Sequence, residues 1–164
     1  NSYIARVLPT FTINKYISLT PGYAFFQDYE SKSENAEHQI MAYATFTLPI
    51  SNKLSITDRN MYYYQIKNYA SNTVTYRNRL GLNYKIKVKD IPVSLYAHDE
   101  IYINLENGKL RNRVYVGSSV SLSWLTPQLM YYMQSEKGKT NKHYWMLSLL
   151  VPLEKFGFFS GKKK

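Results

Sequence analysis

The sequence predicts an all-β chain wound as an up-and-down antiparallel transmembrane β-barrel, with about nine strands visible. Three observations carry that expectation. Apolar residues recur at every second position and seldom at the i, i+3, i+4 spacing of a helix face, and Tyr, Thr, Val and Ile dominate the periodic stretches. The alternating runs hold about ten residues or more, beyond the ~5–6 of an ordinary soluble strand and suited to the ~9–11 of a tilted membrane-crossing strand. Short and long connections alternate along the chain, as in a meander with turns at one rim and loops at the other.

In chain order, strands are expected at 2–13, 16–29, 37–50, 53–65, 74–88, 92–106, 110–123, 126–136 and 143–153. In 16–29 one face reads Ile17, Leu19, Pro21, Tyr23, Phe25 and the other Ser18, Thr20, Gly22, Ala24, Phe26, Asp28. In 37–50 the apolar set Ile40, Ala42, Ala44, Phe46, Leu48, Ile50 opposes Gln39, Met41, Tyr43, Thr45, Thr47. In 74–88 the faces are Tyr76, Leu80, Leu82, Tyr84, Ile86, Val88 and Arg77, Arg79, Gly81, Asn83, Lys85, Lys87, and the alternation recurs in the three strands that follow. Tight turns are expected at Asn14-Lys15, Ser51-Asn52, Lys89-Asp90 and Trp124-Leu125, and longer polar loops at Glu30–Ala36, Lys67–Asn72, Asn107–Lys109 and Glu136–Lys142. With the tight turns periplasmic, residues 1–153 form the barrel and 154–164 a periplasmic tail. Bacterial single-chain barrels have even strand numbers, so about ten or twelve strands are expected in the complete protein, with at least one before Asn1.

Strand 53–65 conflicts with this pattern. The register set by Leu54 and Ile56 also turns Asp58 and Asn60 toward lipid, where a charge is costly, so a bulge, a shielding partner or a shifted boundary is expected there. Asp99 and Asn112 pose the same difficulty more mildly. The runs Tyr62-Tyr63-Tyr64 and Tyr131-Tyr132 suit strand ends at headgroup level, or else an ordinary β core.

Composition narrows the function. The chain has 164 residues, 21 Lys+Arg against 11 Asp+Glu, and no cysteine, which removes disulfide scaffolding, thiol catalysis and cysteine-ligated metals. Aromatic residues make up 16%, too many for a disordered basic tail. No stretch approaches the ~18 apolar residues of a membrane-spanning helix, and the mean hydropathy of −0.40 is compatible with a barrel, whose two faces average out. Ser118, Ser119, Ser121 and Ser123 lack a Gly-x-Ser-x-Gly elbow, and His38, His98 and His143 fall on separate strands, so neither an enzyme nor a metal or other cofactor is expected. Basic residues interleaved with aromatics, as in Lys142-His143-Tyr144-Trp145, also suit a nucleic-acid surface, but an OB-type sheet of about five strands leaves much of the meander unexplained, and no nucleic-acid partner is expected. A soluble lipocalin-like carrier is the nearer rival; it would reverse the faces and bury the apolar one.

Three segments carry a resemblance: Tyr76-Arg77-Asn78-Arg79-Leu80-Gly81-Leu82, His98-Asp99-Glu100-Ile101-Tyr102-Ile103-Asn104, and Arg111-Asn112-Arg113-Val114-Tyr115-Val116-Gly117. On these motifs the chain resembles the uncharacterised outer-membrane β-barrel family of Gram-negative bacteria catalogued as a domain of unknown function. The likeness covers about Tyr16 to Leu153 and departs from the family in an absent N-terminal portion and in the ending Ser160-Gly161-Lys162-Lys163-Lys164 instead of a terminal aromatic residue. It implies the bacterial outer membrane as location, with lipid or lipopolysaccharide, and other outer-membrane proteins, as partners.

With the apolar faces outward, the lumen receives Arg6, Arg59, Arg77, Arg79, Lys85, Lys87, Arg111 and Arg113 against Glu100 and Glu136. The candidate cluster is Arg77, Arg79, Arg111 and Arg113 bracketing Glu100, with His98 nearby. Two readings stay open. One is a ladder of salt bridges filling a narrow barrel, in a structural or accessory component of an envelope assembly; the other is a basic constriction for small anions.

Overall fold

Alternation of this length leaves the backbone one economical way to satisfy its N–H and C=O groups, which is pairing with sequential neighbours. The computed structural model describes residues 2–28 and 35–151, and among them every regular element is a strand: β1 (Ser2–Val7), β2 (Phe11–Thr12), β3 (Ile17–Asp28), β4 (Asn35–Pro49), β5 (Leu54–Lys67), β6 (Thr73–Val88), β7 (Ile91–Asn104), β8 (Leu110–Val120), β9 (Thr126–Glu136) and β10 (Lys142–Leu150). From β3 onward each pairs antiparallel with its sequence neighbour, and β1 and β2 both pair with β3, giving one up-and-down sheet curled into a half-barrel. Its two edges, β1/β2 and β10, do not meet among the described residues. The expected tail at 154–164, the end of the last expected strand and most of the loop Glu30–Ala36 lie outside those residues.

The expected strand 2–13 is broken. β1 and β2 both pair with β3 and keep one register, Val7 opposite Tyr23 and Phe11 opposite Leu19, with no pairing at Leu8–Thr10. Pro9 sits in that gap, and without an N–H it cannot donate to the ladder. Two other expectations shift. Strand 110–123 ends at Val120, and the following turn centres on Ser123-Trp124, where the Leu122 N–H bonds Leu125 O at 2.9 Å.

Turn chemistry accounts for the hairpins. Asn14 Oδ1 accepts from the Tyr16 and Ile17 N–H groups at 2.8 and 3.0 Å, and Ser51 Oγ accepts from Lys53 and Leu54 at 3.2 and 3.0 Å. Lys89 and Asp90 both have positive φ, 48° and 65°, which closes a two-residue hairpin whose twist matches the strands it joins.

The two faces differ in chemistry. One presents Ile40, Phe46, Leu48, Leu80, Leu82, Leu95, Val116 and Leu129, all exposed. Exposed aromatics lie toward both of its rims, Tyr16, Tyr84 and Trp124 near the tight turns and Tyr62 and Tyr64 near the loops. The other face is polar and lines a cavity. Among the described residues the buried apolar side chains are Ala24, Met41, Met61 and Tyr115, too few for a conventional hydrophobic core.

The conflict in β5 is resolved by a shielding partner. Its ladders with β4 and β6 run without a bulge through Asp58 and Asn60. On the apolar face Asn78 Nδ2 donates to Asp58 Oδ1 at 2.6 Å, and Tyr76 OH donates to Asn60 Oδ1 at 2.6 Å. Asn112 Nδ2 likewise donates to Asp99 Oδ1 at 2.6 Å. Pairing across strands lowers the cost of holding these groups on an otherwise apolar surface.

Candidate functional site

Register alone brings the three arginine and acidic segments together. β6, β7 and β8 are neighbours, with Arg79 opposite Glu100 and Glu100 opposite Arg113 on the polar face. The Glu100 side chain is fully buried, and its carboxylate is completely engaged. Oε1 accepts from Arg77 Nε and from Arg79 Nε, the latter at 2.7 Å, while Oε2 accepts from the Tyr102 hydroxyl at 2.8 Å and from the Tyr115 hydroxyl. Four donors from three strands fill its acceptor sites, as a charge withdrawn from water requires.

The other expected members lie around this knot rather than in it. Arg113 reaches Glu100 only through hydroxyls: one guanidinium nitrogen donates to Tyr102 Oη at 2.6 Å and to Tyr115 Oη at 3.4 Å, and Nε donates to Gln134 Oε1 at 2.7 Å. Arg111 turns toward Glu136, at 3.9 Å, where Lys109 and Lys139 also sit at 2.8 and 3.0 Å. His98 does not touch Glu100; its ring stacks on Tyr96 with centroids 5.0 Å apart, and Nε2 lies 3.5 Å from Asn83 Oδ1. That ring occupies the space above Gly81, where an added Cβ would meet His98 Cδ2 at 2.5 Å. Tyr96 covers Gly117 in the same way, 2.6 Å from the place of a Cβ. The glycines of the arginine segments therefore make room for the aromatics of the acidic strand.

Several participants escaped the charge pattern. Tyr102 is held between guanidinium groups, with Arg77 and Arg113 at 4.5 and 4.7 Å from its ring centroid, and Tyr115 carries Arg79 at 5.0 Å. Both tyrosines share the strand phase of Glu100 and Arg113, the signal that could have found them. Glu37 is a further acid on the polar face: Gln65 Nε2 and Tyr69 OH donate to it at 2.7 and 3.2 Å.

On the loop side of the knot lies a cavity of about 640 Å³. Arg6, Lys67, Arg77, Lys109, Arg111 and Arg113 line it, together with tyrosines and amides, and among the described residues no carboxylate does. Among the described residues Arg6, Lys67 and Arg113 form no ion pair within 4 Å. The described part of the wall therefore carries cations that no described acid offsets. His, Asp and Glu do not gather in threes anywhere among the described residues.

A family model described as "Protein of unknown function (DUF2490)" matches residues 1–144. The chain belongs to the DUF2490 family. No curated protein and no solved structure matches it. The DUF2490 match spans all three strands of the Glu100 knot and every described residue that lines the cavity.

Proposed function

We propose that this DUF2490 chain is the strand-forming body of a bacterial outer-membrane β-barrel without catalytic activity, and that its basic lumen admits small anions. The inversion of its faces carries the reading: large apolar side chains stand exposed on one side while Glu100, with no exposed surface, is buried on the other. Each large apolar side chain taken out of water contributes about 1.5–3 kcal/mol, so a lipid or lipopolysaccharide surround stabilises the apolar face as water cannot. A lipocalin-like carrier needs the opposite arrangement, and the four buried apolar side chains among the described residues do not supply it. The wall of the cavity, basic and without a carboxylate among the described residues, supports the anion preference.

In planar bilayers with a salt gradient, the inserted full chain is expected to give a reversal potential displaced toward the anion equilibrium potential. Cation preference would overturn the anion reading. The Glu100 knot favours a second reading, a plugged structural or accessory component of an envelope assembly; a silent bilayer together with partner proteins retained through gentle detergent extraction would favour it.

A further inference from the structure

The cavity wall carries more specificity than charge attraction demands. Its cations come from distant strands, Arg6 on β1, Lys67 on β5 and Arg113 on β8, so an occupant meets positive charge from several directions. Between them stand hydrogen-bonding groups, the amides of Gln39, Gln65 and Asn104 and the hydroxyls of Tyr43 and Tyr63. Three of the aromatic rings already carry guanidinium groups: Tyr102 those of Arg77 and Arg113 at 4.5 and 4.7 Å, Tyr63 that of Arg77 at 5.8 Å, and Tyr43 that of Arg59 at 5.9 Å. A flat aromatic ligand competes with a guanidinium at each of these three rings, whereas a ligand rich in hydroxyls meets donors and acceptors throughout. These groups already bond within the protein, Gln39 and Gln65 Nε2 to Glu37, Tyr43 OH to Met41 Sδ, Tyr63 Oη from Arg77, and Asn104 Oδ1 from the Glu106 and Asn107 N–H groups, but an amide or a hydroxyl has donor and acceptor capacity beyond one bond, which a bare inorganic anion would leave unfilled. The volume of about 640 Å³ falls within the ~300–1,000 Å³ usual for small-molecule sites.

We propose that this cavity binds an anionic saccharide, a polyhydroxylated ring carrying phosphate or carboxylate, with the cations on the acidic group and the amides and tyrosine hydroxyls on the ring. The site rests on the reading of this face as the lumen of a membrane barrel. Its occupant comes either from solution or as the headgroup of a glycolipid, and the test separates the two.

The full chain, folded in detergent micelles, is titrated calorimetrically with glucose 6-phosphate, glucose, inorganic phosphate and phenyl phosphate, and separately with mixed micelles of a phosphorylated diglucosamine glycolipid. Glucose 6-phosphate or the glycolipid is expected to bind at least about tenfold more tightly than inorganic or phenyl phosphate, the margin that one or two added hydrogen bonds supply, and glucose more weakly still. Response to glucose 6-phosphate marks a soluble occupant; response to the glycolipid alone marks a membrane one. Arg6→Gln combined with Lys67→Gln, both outside the Glu100 knot, is expected to weaken binding about tenfold or more while the strand circular dichroism is unchanged. Equal affinity for phenyl phosphate, no binding of either saccharide, or binding untouched by the double variant would overturn the proposal. Anion-biased conductance with no saccharide binding removes this site alone; saccharide binding beside a silent bilayer removes the channel and leaves the site.

Discussion

A carboxylate withdrawn from water is tolerated only when donors replace its hydration, and Glu100 has four of them. The two guanidinium groups on Oε1 are themselves largely enclosed, so the three side chains depend on one another. Glu100→Gln strands Arg77 and Arg79 without a counter-charge and is expected to cost about 3–5 kcal/mol, measured by urea unfolding in micelles followed by tryptophan fluorescence. Tyr115→Phe, which removes one donor of four, is expected to cost about 1 kcal/mol on the same scale. Near-equal losses for the two would mean that the knot is not organised around the charge. Period two put Arg77, Arg79, Glu100 and Arg113 on one face from the sequence alone. Which nitrogen meets which oxygen was not legible there, because Arg113 and Arg111 reach past Glu100 to Gln134 and Glu136 on β9.

At the scale of the strands, length and alternation were legible almost throughout, because a strand exposed to different surroundings on its two faces must repeat every second residue. Boundaries moved where a local group overrode the pattern, as at Pro9, which splits the first strand, and at Ser121–Leu125, where the turn begins earlier than the hydrophobic run suggests. Asp58 and Asn60 broke the apolar pattern of β5 without breaking its ladder, since their partners Asn78 and Tyr76 lie one strand away and not along the same segment. The Lys89-Asp90 turn offers a quantitative check. Both residues occupy the left-handed region that Asn and Gly tolerate best, so K89N/D90G is expected to add about 0.5–1 kcal/mol of stability in the same unfolding measurement. A loss would mean that the two side chains make contacts worth more than the relieved backbone.

For the whole molecule the decisive property is which face meets which medium. Trp145, 74% exposed, projects from β10 on the apolar face, and Trp124 stands at the tight-turn end of the sheet. With Trp124→Phe and Trp145→Phe each leaving a single reporter, lipids brominated in mid-chain are expected to quench Trp145 strongly and Trp124 weakly. Absence of quenching at both would contradict a lipid surround. The positive charge follows the same division: Arg6, Arg77, Arg111 and Arg113 share the cavity face, so a net charge of +10 is concentrated there as well as in the polar connections.

Local order determined most of the architecture. Alternation, turn residues and the succession of short and long connections follow from interactions among near neighbours, and they sufficed for an all-β meander with the arginine and acidic strands side by side. Tertiary structure alone decided how the polar face is satisfied: the donors on Glu100, the tyrosines held between guanidinium groups, the glycines under His98 and Tyr96, and the basic cavity above the knot. Those depend on register and reach between strands distant in sequence, and a side chain's partner across a sheet is chosen by geometry that no single strand contains.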